Sequence, residues 1–147
     1  METQIIYILY AAVFFYLAYC DYKTQRIPNR IILPAMVIVT LLNCFLMPIG
    51  WQNTLIGGGI GLGAAIMFYV LGVRSGGDLK LIVLIGLTTG YPLAYFVIPG
   101  LTILTGIVGL ILKVIHKKKW SDKIPYGTYI GSGAAIVILV WSYLYGR

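Results

Sequence analysis

Apolar residues fill most of the chain in long runs, broken by short clusters of charged, Gly and Pro residues. Five runs stand out: 4–20, 31–47, 55–73, 79–112 and 124–145. Four are close to the roughly 20 residues that one membrane-spanning helix needs. The run 79–112 would be about 51 Å long as one helix, too long for a hydrocarbon core of about 30 Å. It is interrupted by Gly90-Tyr91-Pro92, a turn signal, and is read as two spans, 79–89 and 92–112. Six helical spans are expected, in an all-α polytopic membrane protein made of one membrane-embedded domain over residues 1–147.

Charge tests this division. With six spans, loops 21–30, 74–80 and 113–123 share one side. They hold Lys23, Arg26, Arg30, Arg74, Lys80, Lys113, Lys117, Lys118, Lys119 and Lys123. Only Arg147 falls on the other side. Cytoplasmic loops collect Lys and Arg, so these three loops are expected inside and both termini outside. Five spans would put the lysine cluster on the wrong side. Trp51, Trp120 and Trp141 fall near the expected helix ends, where interfacial tryptophans belong. Pro34 falls in the first turn of the second expected helix, where proline is tolerated.

Composition narrows the class. The 147 residues are 60% hydrophobic and 10% charged, with a mean hydropathy of +0.92. Soluble domains are about 25% charged, which argues against a soluble enzyme, a disordered chain or a nucleic-acid-binding domain. The net charge of +7 is then a topology signal, with membrane lipid rather than nucleic acid as the partner. Cys20 and Cys44 form no CxxC, and His116 stands beside three lysines, so no metal site and no cofactor are expected. The N-terminal run has no basic residue before it and a bulky Tyr19 before Cys20. It therefore reads as a retained helix rather than a cleaved signal. Gly57-Gly58-Gly59-Ile60-Gly61-Leu62-Gly63 lies inside a span and reads as a close-packing stripe. Gly61-Leu62-Gly63-Ala64-Ala65-Ile66 returns as Gly131-Ser132-Gly133-Ala134-Ala135-Ile136, so the third and sixth helices are expected to pack alike.

Four acids remain. Glu2 is terminal and Asp122 lies in the lysine-rich loop. Asp21 ends the first span and Asp78 starts the fourth, 57 positions later (78 minus 21), both at the cytoplasmic face of the expected topology. From the outer turn near Tyr91 back to Asp78 is about 20 Å of helix, which places Asp78 below the membrane surface. A carboxylate there needs a partner or a water-filled cavity and is a candidate for function. Spacing alone leaves two readings. Both acids cap helices or pair with Lys23, Arg26 or Lys80, or they form a catalytic pair. In such a pair the two groups share one proton. The ionised member takes a proton from water while the protonated member polarises a peptide carbonyl. The helix ends favour Asp78 as the resting carboxylate and Asp21 as the proton holder.

Asp21-Tyr22-Lys23-Thr24-Gln25-Arg26-Ile27-Pro28-Asn29 resembles the first-aspartate motif of bacterial type IV prepilin peptidases, an Asp followed by Ile-Pro-Asn. Gly76-Gly77-Asp78-Leu79-Lys80 resembles their Gly-x-Gly-Asp-x-Lys motif, with Ser75 in place of the first glycine. Ile124-Pro125-Tyr126-Gly127 is similar to the short proline motif before their last helix. The resemblance covers nearly the whole chain, in order. It implies an aspartic endopeptidase of the cytoplasmic membrane that cuts the basic leader from prepilins or pseudopilins. Asp21 and Asp78 match its catalytic aspartates. Gly76 and Gly77 are expected to let backbone approach the substrate, and Lys80, Arg26, Pro28 and Asn29 to support the site. The methylating segment with paired CxxC motifs found in larger members is not among these residues. A peptidase-only form is therefore expected, like the short members serving tight-adherence (Flp) pili. Archaeal preflagellin peptidases are close relatives by the same residues. A small transporter or proton pathway using Asp21 and Asp78, and a structural subunit of a secretion assembly, are the competing classes; neither requires both motifs. A basic leader meeting a basic face is not explained by simple steering; anionic lipid, or an acidic pilin residue after the cut, would supply the attraction.

Overall fold

The computed structural model describes residues 2–46, 49–70, 76–115 and 126–145. Arg74, Ser75, His116, the lysine cluster 117–119, Trp120, Asp122, Lys123, Ile124, Pro125 and Arg147 lie outside the described residues, as do the side chains of Glu2 and Lys113.

The described residues form six α-helices and no strand: α1 (Glu2–Thr24), α2 (Asn29–Phe45), α3 (Gly50–Val70), α4 (Gly76–Thr89), α5 (Leu93–Ile115) and α6 (Tyr126–Tyr145). The long apolar run does divide. α4 ends at Thr89, Gly90 takes a left-handed φ of +63°, and α5 begins at Leu93. A left-handed residue just past a helix end is the usual glycine stop. Its N–H donates to the Gly86 carbonyl at 3.0 Å, and the Tyr91 N–H donates to the Asn53 carbonyl of α3 at 2.9 Å. α2 starts at Asn29, two residues earlier than the apolar run, so Pro34 lies in its second turn rather than its first.

Four helices, α1, α3, α5 and α6, are long and apolar enough to cross a membrane. α4 differs. Its 14 residues make about 21 Å of helix. Most of its length is enclosed by its neighbours, with Leu81, Leu84, Ile85 and Thr88 at 1% exposure or less. A helix sheathed by protein does not itself have to match the thickness of a lipid core.

Two helix pairs build the bundle: α1 packs chiefly on α6, and α3 chiefly on α4. The α3–α4 seam is made of glycine. A Cβ on Gly57 would collide with the Gly86 carbonyl, and one on Gly86 with the Gly57 carbonyl. A Cβ on Gly61 would sit 2.9 Å from the Ile82 carbonyl oxygen. Small residues permit this backbone approach. The repeated sequence is used in part alike. Gly61 faces α4, while Gly131 faces Phe14 and Ala18 of α1, and Ala65 and Ala135 are both buried. Gly63 faces open space, whereas Gly133 lies against Leu101 of α5.

α2 ties the pairs together. The last four carbonyls of α4 have no partner within the helix. Asn43, fully buried on α2, donates its Nδ2 to one of them, the Leu87 carbonyl, at 2.7 Å. Its Oδ1 accepts from the Tyr10 hydroxyl of α1 at 2.8 Å. Among the described residues no buried side-chain nitrogen or oxygen lacks a hydrogen-bond partner, as a native interior requires.

Candidate active site

Asp21 lies in the last turn of α1. The helix stops just beyond it because Gln25 takes a left-handed φ of +50°, uncommon for a residue with a side chain. The Gln25 N–H donates to the Asp21 carbonyl at 2.7 Å. The Thr24 hydroxyl lies 2.8 Å from the Cys20 carbonyl and 2.9 Å from that of Arg26, closing the turn. Ile27 then buries itself, and Pro28 caps α2, its carbonyl accepting from the N–H groups of Ile31 and Ile32.

Asp78 lies in the first turn of α4. Both aspartates are buried, Asp21 at 5% and Asp78 at 6% exposure. They meet at Gly127, near the start of α6. A Cβ on Gly127 would sit 2.8 Å from Oδ1 of Asp78 and 3.0 Å from Oδ2 of Asp21. Those two oxygens are therefore at most 5.8 Å apart, the sum of 2.8 and 3.0 Å. A water at about 2.8 Å from each would bridge nearly all of that separation.

The next residue holds one of the pair. The Thr128 N–H donates to Oδ2 of Asp21 at 2.8 Å. The Thr128 hydroxyl lies 3.1 Å from the same oxygen and 3.2 Å from the Ala18 carbonyl. Helix starts leave four N–H groups unpartnered, and an acidic side chain from another helix here satisfies one. These donors come from a helix start, which favours negative charge, so at Asp21 they oppose the α1 end on which the expectation of Asp21 as proton holder rested. Tyr126, at the head of α6, is seated by α5: a Cβ on Gly109 would lie 2.8 Å from its ring.

The expected supporting residues divide. Lys80 and Asn29 join, Lys80 Nζ donating to Asn29 Oδ1 at 2.7 Å, which links the start of α4 to the start of α2. A Cβ on Gly77 would sit 3.0 Å from Cβ of Ile27, so the backbone that approaches there belongs to the chain's own Ile-Pro-Asn segment. Gly76 faces open space. Arg26 is exposed. The sequence motifs included Gly127 and Ile27 without assigning either to the site, and nothing pointed to Thr128. Gly127 was findable, because a glycine two residues after a proline, at an expected helix start, asks what needs the room.

Two acids, 57 positions apart in the chain, thus share one glycine-sized space at one end of the bundle. Comparison with curated proteins and with solved structures finds no match. The family model of the type IV leader peptidase family matches residues 8–146, nearly the whole chain and every described site residue. With that match over both aspartate segments, the chain is a membrane-type peptidase and belongs to the type IV leader peptidase family.

Proposed function

We propose that this chain is an aspartic endopeptidase that removes the basic leader from prepilin or pseudopilin substrates at the cytoplasmic face of the cell membrane. The observation that carries the reading is the convergence of Asp21 and Asp78 on Gly127. In the proposed topology the chain crosses the membrane six times, with both termini outside. Asp21 at the end of α1 and Asp78 at the start of α4 then share the cytoplasmic side.

The proposed reaction uses the pair as acid and base. One carboxylate takes a proton from a water held between the two, and the water oxygen bonds to the scissile carbonyl carbon. The other, protonated, gives its proton to the carbonyl oxygen as charge develops there. Collapse of the tetrahedral adduct breaks the C–N bond, with a proton passing to the leaving nitrogen. The reaction as written needs no group beyond the two acids and water. The Lys80–Asn29 hydrogen bond ties the start of α4, which carries Asp78, to the start of α2, just past the turn that follows Asp21.

The test is cleavage of a model prepilin, with a short basic leader ahead of a hydrophobic helix, in lipid vesicles. Wild type is compared with Asp21→Asn and Asp78→Asn at matched amounts of folded protein. Each variant is expected to lose about 1,000-fold or more in rate, since removing one member of a unit removes its action. Full activity in either variant refutes the pair.

A further inference from the structure

The start of α6 does more than leave room for the two acids. Oδ2 of Asp21 is the carboxyl oxygen of that residue nearest the space over Gly127 that Oδ1 of Asp78 also borders, and it is also the oxygen that Thr128 engages. The hold has two parts of different kind. The backbone N–H at 2.8 Å is present whatever side chain stands at 128, proline excepted. The hydroxyl at 3.1 Å is present only in Thr or Ser. The hydroxyl has one proton, so it donates to Asp21 Oδ2 or to the Ala18 carbonyl at any moment. Ala18 and Asp21 lie on successive turns of α1, so either choice keeps Thr128 on the same helix edge.

From this geometry we infer that Thr128 is a positioning residue for the reaction. It fixes the rotamer of Asp21 so that Oδ2 faces Asp78 over Gly127. The inference rests on the reading of Asp21 and Asp78 as the reacting pair. A carboxyl held by the N–H alone retains freedom to swing about χ2, a broad torsion. A second donor on the same oxygen, whenever the hydroxyl proton points to it, restricts that freedom. The effect belongs to the chemical step, because Thr128 reaches the substrate only through Asp21. Misplacing a reacting group by about an ångström is enough to slow chemistry heavily.

The test uses the full chain in lipid vesicles with the same model prepilin. Thr128→Val keeps size and backbone N–H and removes the hydroxyl; Thr128→Ser keeps the hydroxyl. The valine variant is expected to lose about tenfold in kcat, the scale of one hydrogen bond, with KM within about twofold of wild type. The serine variant is expected to stay within about twofold of wild type in both. Wild-type kcat in the valine variant overturns the inference. So does an equal loss in the serine variant, or a change in KM alone. If the valine variant does not fold, Thr128→Ala replaces it under the same criteria. Asp21→Asn and Asp78→Asn run beside them. Full activity in either aspartate variant sinks the pair itself, whereas inactive aspartate variants with an unaffected valine variant sink only the role of Thr128.

Discussion

The two helix pairs each deliver one acid, and they do so by different means. α3 and α4 meet backbone to backbone at Gly57, Gly61 and Gly86, with no room for a single added carbon. Asp78 rides on the end of that rigid unit. α1 and α6 meet over Gly131 as well, but near the acids their contact is polar, from Thr128 to Asp21. The comparison separates a clamp from an adjuster. Close packing fixes where α4 lies as a whole, because a backbone cannot give way locally. Side-chain hydrogen bonds fix where one carboxyl points and leave the helix as it is. A site that needs two groups within a water's reach draws on both.

Three substitutions, with one control, sharpen or break this contrast. The largest effect is expected in the clamp. Gly86→Ala forces backbone against backbone and should cost about 3 kcal/mol of stability, the upper end for overpacking. Thermal unfolding in detergent reads it. Gly59→Ala, in the same glycine run as Gly57 but on the opposite, open side of α3, is the control and should stay within about 0.5 kcal/mol of wild type or gain. Equal losses in the two variants would show that contact with α4 does not set the cost, since helix propensity alone favours alanine at both sites.

Next comes the shared space. Gly127→Ala places a methyl between the carboxylates and should lower cleavage by about 100-fold, with the unfolding midpoint changed far less. Cleavage at the wild-type rate would show that the pair tolerates wider spacing, and the polar side of the contrast would lose its role.

The smallest effect is at the end of α1. Gln25 occupies a left-handed conformation that glycine adopts without penalty. Gln25→Gly should be neutral to stabilising by up to about 1 kcal/mol, with activity kept, because only the turn after Asp21 is relieved. A fall in cleavage without a fall in stability would show that the Gln25 side chain itself serves the substrate.

Much of this was legible in the chain. The division of the long fourth run followed from its length and Gly90-Tyr91-Pro92, and α4 and α5 begin and end within a few residues of the expected limits. Asp21 and Asp78 stood out because acids are scarce in so apolar a chain. The site around them was legible only in part. Ile27 looked like one member of a motif; in the fold it fills the space beside Gly77. Thr128 gave no sign, for a physical reason. Its stronger contact is made by a backbone N–H, which nearly every residue has, to a side chain 107 positions away.

The sequence by itself determined the helices, their order, the charge asymmetry and the two acids worth asking about. These follow from local hydropathy, turn chemistry and residue identity, and each is written in a stretch of chain short enough to read alone. The tertiary structure decided that the acids meet, that they meet over a glycine, that α4 is sheathed while α1, α3, α5 and α6 leave broad faces outward, and which oxygen of Asp21 is held. Those outcomes depend on how closely helices far apart in sequence approach. Close approach is set by the absence of side chains at a few glycines, and an absent side chain shows its purpose only when the neighbour is in place.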